Sequence, residues 1–161
     1  MKSVEKDFIK IIQENERVIY KVCSFYVSDI FPMEDLYQEV VHNLWVGFPK
    51  FRYECSISTW IYRIAINTCI SGIRIEKNFP KSNVPASSLS EWLIAPESLT
   101  DEIREMYRMI NKLKTLDKTI ILLRLEEKSY QEISEITGIS LSNVATRLKR
   151  VKEKLKEMSN E

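Results

Sequence analysis

Apolar positions recur at three- and four-residue intervals along most of the chain, the period of amphipathic helices. Phe8, Ile11, Ile12, Val18, Ile19, Val22 and Phe25 predict one or two such helices. FPMEDLYQEVVHNLW predicts another, with Pro32 where a first turn tolerates proline and acids just behind it. Gly47 and Pro49 interrupt the pattern in VGFPKFRYECS, and STWIYRIAINTCISGIRIEK restores it from a start near Ser56 or Ser58. The stretch NFPKSNVPASSLSEWLIAPESL then gathers three of the 5 prolines and five serines, as linkers do. Nothing alternates with the two-residue period of a strand, and no internal repeat is present. The expectation is an all-α fold: two small helical domains, residues 1–78 and 101–161, joined by a flexible linker over 79–100.

The segment SYQEISEITGISLSNVATRLKR adds local chemistry to the period. Ser129 can cap a short helix with Glu132 completing a capping box, and Ile133 and Ile136 form its inward face. Gly138 stands where that helix should stop in a left-handed turn, Ile139 can pack into the angle between the helices, and Ser140 can cap the next helix. There Leu141, Val144, Leu148, Val151 and Leu155 make the apolar stripe, leaving Ser142, Asn143, Thr146, Arg147, Lys149 and Arg150 outside. This is the order of a helix-turn-helix, whose second helix lays its N-terminal half against base edges in the major groove. Asn, Ser, Thr and Arg read edges, while Lys and Arg neutralise phosphates.

Charge sharpens this picture. The formal net charge of the 161 residues is only +1, yet residues 79–107 carry two basic and five acidic side chains (net −3), and residues 141–156 carry six basic and one acidic (net +5). Any nucleic-acid surface is therefore local. Hydrophobic residues at 44% and charged ones at 29% fit a globular chain. The start, MKSVEKDFIK, lacks the apolar run of a signal peptide, and no stretch nears the ~20 apolar residues of a membrane span, so a cytoplasmic location is expected. Cys23, Cys55 and Cys69, with His42 the single histidine, make a poor metal set and are expected to be reduced thiols. No nucleophile–base pair or glycine-rich phosphate loop is present, so neither cofactor, metal nor enzymatic activity is expected.

The middle of the first domain is the unusual part. Phe48, Phe51, Tyr53, Trp60 and Tyr62 interleave with Lys50, Arg52 and Arg63. That alternation suits single-stranded DNA, where rings stack on unpaired bases at roughly 1–3 kcal/mol each and cations follow the backbone. Trp60, Ile61, Ile64 and Ala65 also fit a plain helix core.

Three segments, MEDLYQEVVHNLW, FRYECSISTWIYRIAINT and LEEKSYQEISEITGISLSNVATRLKRVKEKL, together resemble bacterial sigma-70 factors of the extracytoplasmic-function type. The likeness follows, in order and spacing, conserved region 2 with its single-strand-binding helix and then conserved region 4, over about residues 10–76 and 101–158. The resemblance implies a subunit that binds core RNA polymerase and directs promoter-specific initiation. It places Asp35, Leu36, Gln38 and Glu39 on the helix that docks on the polymerase clamp. It places Gly47, Phe51, Ile64 and Asn67 around a base flipped from the −10 non-template strand, with Arg52, Tyr53, Trp60 and Arg63 contributing and the loop 52–56 completing the pocket. A glycine leaves room there, Phe and Ile offer flat walls, and a buried Asn67 can hydrogen-bond a base edge. Ser142, Asn143, Thr146, Arg147, Lys149 and Arg150 would read the −35 duplex. An anti-sigma factor is the further partner implied, and the acidic linker would thread toward the RNA exit path.

The chain departs from the family pattern at Ala145, Ile66 and Ser71, where charged residues are frequent. It departs again at Tyr53 and Glu127, where glycine is frequent. These positions adjoin the reading surfaces, so the promoter sequence stays open. Two other readings fit the residues alone: a conventional helix-turn-helix regulator with a helical sensing or dimerisation domain, and a helical adaptor that never touches DNA.

Overall fold

The computed structural model describes residues 2–28, 31–77 and 100–160, and among them only helices and connecting turns occur. The expected linker, apart from Thr100, lies outside the described residues. Contacts divide the chain into two compact units, Met1–Ile94 and Ala95–Glu161.

The first unit holds α1 (Lys2–Glu14), α2 (Glu16–Tyr26), α3 (Met33–Gly47), a 3-10 turn (Phe48–Lys50) and α4 (Ile57–Lys77). The first apolar run therefore forms two helices. The break falls at Asn15, whose side-chain amide donates to the Ile11 carbonyl at 2.8 Å and so competes with the helical ladder. Pro32 sits one residue before α3 in extended backbone, and Glu34 and Asp35 follow in the first turn, where the dipole favours acids. Ser56 caps α4: its Oγ accepts from the Thr59 N–H at 3.1 Å. Helix α4 packs against both α2 and α3, which touch each other, while α1 leans on α2. Ile19, Cys23, Val40, Leu44, Ile61 and Ala65 are fully buried where the three meet. Phe8 of α1 closes one end against Trp45 and Phe48, with centroids 4.9 and 5.5 Å away.

The second unit holds α5 (Asp101–Asn111), α6 (Thr115–Leu125), α7 (Tyr130–Thr137) and α8 (Leu141–Ser159). Its fully buried side chains include Ile110, Ile120, Ile133, Val144, Leu148 and Val151. Helix α6 ends in a Schellman turn: Lys128 N–H donates to the Leu123 carbonyl and Glu127 N–H to that of Arg124. Glu127 occupies the left-handed position at φ 63°, which a glycine would fill without strain. The capping box of α7 forms as the sequence implies, with Ser129 Oγ accepting from Glu132 N–H at 3.1 Å and Glu132 Oε1 from Ser129 N–H at 3.2 Å. Gly138 ends α7 at φ 81°, and Ser140 Oγ accepts from Asn143 N–H at 3.2 Å to start α8. Leu141, expected in the stripe, is 47% exposed. It belongs to the first turn of α8, ahead of Val144, where the helix becomes buried.

Candidate functional site

On the second unit, Ser142, Asn143, Thr146, Lys149 and Arg150 all lie exposed on α8, and Arg147 is half-buried. Thr146 Oγ1 donates back to the Ser142 carbonyl at 2.9 Å. Arg147 is not loose. Its Nε donates to Asn143 Oδ1 at 3.2 Å and its Nη1 to Asp117 Oδ1 at 3.1 Å. Asp117, in the first turn of α6, thus holds the Arg147 guanidinium of α8. Sequence reasoning did not single it out, because a partner 30 residues away leaves no periodic trace.

On the first unit, Asp35, Gln38 and Glu39 are exposed along α3. Leu36 is not available with them. It is 2% exposed, one step of the buried stripe Leu36–Val40–Leu44, so its side chain belongs to the core rather than to a docking face. Gln38 borders a groove between α1 and α3 together with Ile9, Tyr37 and Trp45. Burial, then the charge of Glu16, then Cys23 push the Tyr37 hydroxyl above its ordinary value and keep it neutral.

The candidate base pocket is organised around Trp60. A Cβ on Gly47 would stand 3.5 Å from Ile64 Cδ1 and 3.6 Å from Trp60 Cζ2, so the missing side chain faces both. Phe51 stacks on Trp60 with centroids 4.8 Å apart, and Tyr53 lies 4.6 Å from Phe51. Trp60 is therefore a floor: at 7% exposure beneath Phe48 and Phe51, it has no free face for a base. The open ring is that of Tyr53, 67% exposed, which takes the left-handed backbone at φ 58°. Arg52 is exposed beside it, and Arg63 is half-buried on α4.

Asn67 corrects the sequence reading in a different way. Expected to be buried, it is exposed, because Ile66 and Thr68 on either side take the faces that α4 turns to its neighbours. Its amide instead borders a cavity of about 320 Å³ between α3 and α4 that includes Ile64, Asn43 and Thr68. Gly47, Ile64, Trp60 and Phe51 are thus brought together, with Asn67 one turn beyond Ile64.

Among the described residues no group of three or more His, Cys, Asp or Glu side chains could hold a metal ion, and no helix is long and apolar enough to cross a membrane.

Family models match in both units. Residues 11–78 match Sigma-70 region 2, and residues 103–155 match Sigma-70, region 4. The RNA polymerase sigma factor YlaC of Bacillus subtilis is 33% identical, over 77% of this chain and 75% of its own. The ECF RNA polymerase sigma factor SigW of the same organism is 27% identical over 93% and 87%. In fold, the chain is similar to the sigma factor RpoE of Bartonella quintana, solved in complex with the anti-sigma factor NepR. The TM-score is 0.75 at 18% identity, over 96% of this chain and 98% of that one.

Proposed function

The chain belongs to the sigma-70 family of RNA polymerase sigma factors, in its extracytoplasmic-function group, and serves promoter-specific transcription initiation; from that premise we propose how its two units divide the task. The second unit reads the −35 element as duplex through Ser142, Asn143, Thr146, Arg147, Lys149 and Arg150 on α8. The first captures one unpaired base of the −10 non-template strand between Gly47, Phe51 and Ile64, with Asn67 at the edge and Tyr53 and Arg52 on the adjoining loop. Trp60 underlies that pocket, and Arg63 flanks it. Asp35, Gln38 and Glu39 on the outer side of α3 dock on core RNA polymerase. An anti-sigma factor is its counter-partner, as NepR is for the Bartonella protein, and the cytoplasm is its place of work.

The observation that carries this reading is the gathering of Gly47, Ile64 and Phe51 on the Trp60 floor, with Asn67 exposed one turn beyond Ile64 on α4. Flat apolar walls with one amide at the edge suit an unstacked base, which offers two faces and a hydrogen-bonding rim. Size-exclusion chromatography with sigma-free core polymerase tests the class, and co-elution is the expected result. Holoenzyme carrying Asn67→Ala then tests the pocket: it should open a natural promoter slowly while using a pre-melted one normally. Equal activity on both templates would remove Asn67 from base capture.

A further inference from the structure

Leu141 departs from the other large apolar residues of α8. It is 47% exposed, whereas Val144, Leu148 and Val151 are buried and Leu155 is half-buried. An exposed leucine is ordinary by itself, so its place decides what it can do. It opens α8 directly after the Ser140 cap. Nor is it needed to staple the helix entry: the two positions that do so are Ile139, half-buried, and Val144, fully buried.

Residues four apart share a face of a helix. The N-terminal half of α8 therefore presents three parallel pairs: Leu141 with Ala145, Ser142 with Thr146, and Asn143 with Arg147. The second and third pairs are tied up in part. Thr146 Oγ1 donates to the Ser142 carbonyl at 2.9 Å, Ser142 Oγ lies 3.3 Å from Ser140 Oγ, and Arg147 Nε donates to Asn143 Oδ1 at 3.2 Å. Those pairs carry hydroxyl, amide and guanidinium groups. Leu141 and Ala145, both exposed, carry only carbon and form an apolar edge beside them.

Resting on the reading that α8 enters the −35 duplex, we propose that this edge reads the C5-methyl group of a thymine, with Leu141 making the contact and Ala145 leaving the base room to approach. Two observations choose that occupant. Residues 141–156 carry six basic and one acidic side chains, so the helix is complementary in charge to the phosphates that border a groove. Within the major groove the base pairs offer hydrogen-bonding atoms and, at thymine alone, a methyl group. An apolar edge on α8 has no other methyl there to meet. Leu141 thus joins the polar and basic residues of the helix as a determinant of sequence.

Holoenzyme assembled from the full chain selects duplexes from a library randomised over the −35 element. Each thymine of the recovered sequence is then replaced by deoxyuridine, which removes the methyl group and keeps the base pair. At one thymine the wild type should lose affinity about fourfold, as expected for one buried methyl group. Leu141→Ala should bind the thymine and deoxyuridine duplexes equally, while Leu141→Met, apolar and of similar size, should keep the loss. If the fourfold loss survives in Leu141→Ala, the methyl group acts on another side chain or on duplex shape, and the proposal is wrong. If no thymine responds to deoxyuridine while scrambling the element still weakens binding, the apolar edge is overturned and the duplex reading stands. If the selection enriches no sequence and scrambling changes nothing, both fall.

Discussion

Tyr53 and Glu127 are the two non-glycine residues with positive φ among those described, at 58° and 63°. The family resemblance marked both as departures from glycine, and these are the two places where the backbone is strained. An L residue with a Cβ loses about 1–2 kcal/mol in this conformation, while glycine gives part of that back through its greater freedom when unfolded. Glu127→Gly should therefore stabilise the second unit by about 1 kcal/mol, seen as a higher midpoint in urea unfolding. An unchanged or lower midpoint would mean that the Glu127 side chain contributes more than its strain removes. Other residues were less legible. Asn67 lies in an apolar run and was expected to be a buried member of the pocket that the resemblance implies, yet α4 packs against two helices at once and leaves an outer strip for Asn67 and Ser71. Leu36 is the opposite case: the resemblance put it on the docking helix with its polar neighbours, although the Leu36–Val40–Leu44 spacing already marked it as core. Trp60 was divided between two roles, and only the neighbouring rings of Phe48 and Phe51 decide for the floor.

Element boundaries were the most readable feature, because caps are local chemistry. Ser56, Ser129, Gly138 and Ser140 all act where their types predict. The Glu132 carboxyl is held below its ordinary value by the Ser129 backbone N–H that donates to it, and next by the Ser129 side chain. A depressed folded value means stability that is complete above the ordinary carboxylate range and is lost as pH falls through the depressed one. Glu132→Gln should thus flatten the acid limb of the second unit's unfolding curve, followed by ellipticity between about pH 6 and pH 3. A variant with the wild-type acid limb would assign that sensitivity to other carboxylates. What the sequence hid at this scale is contact between elements. Asp117 on α6 fixes Arg147 on α8, and the pair is partly exposed, with side-chain exposures of 22% and 36%, so its worth to stability is small, about 0–1 kcal/mol. If α8 reads the −35 duplex as proposed, its worth to recognition is larger, since a guanidinium held at two points presents a defined edge. Asp117→Asn should raise affinity for scrambled −35 duplex, by removing an anion near phosphates, and lower the cognate-to-scrambled ratio about fivefold. An unchanged ratio would show that Arg147 is not oriented by Asp117.

For the molecule as a whole, the two-unit organisation was visible in composition, as a proline- and serine-rich interval between two helical patterns. The near-neutral total charge was the misleading number. A net charge of +1 conceals a stretch, residues 141–156, with six basic and one acidic side chains, which α8 carries on the unit matching region 4. On the proposed reading, attraction to the −35 duplex then comes from the charge of that helix and not from the net charge of the protein. Each phosphate contact contributes about 0.9 to the slope of log affinity against log salt, and neutralising two such contacts lowers the slope accordingly. The double variant Lys149→Ala/Arg150→Ala should reduce the salt slope of holoenzyme binding to a −35-bearing duplex by about 2 and weaken cognate and scrambled duplexes alike. Co-elution with core polymerase should not change, because both residues lie in the unit that does not contain α3. A loss confined to the cognate duplex, at unchanged salt slope, would instead make Lys149 and Arg150 base readers.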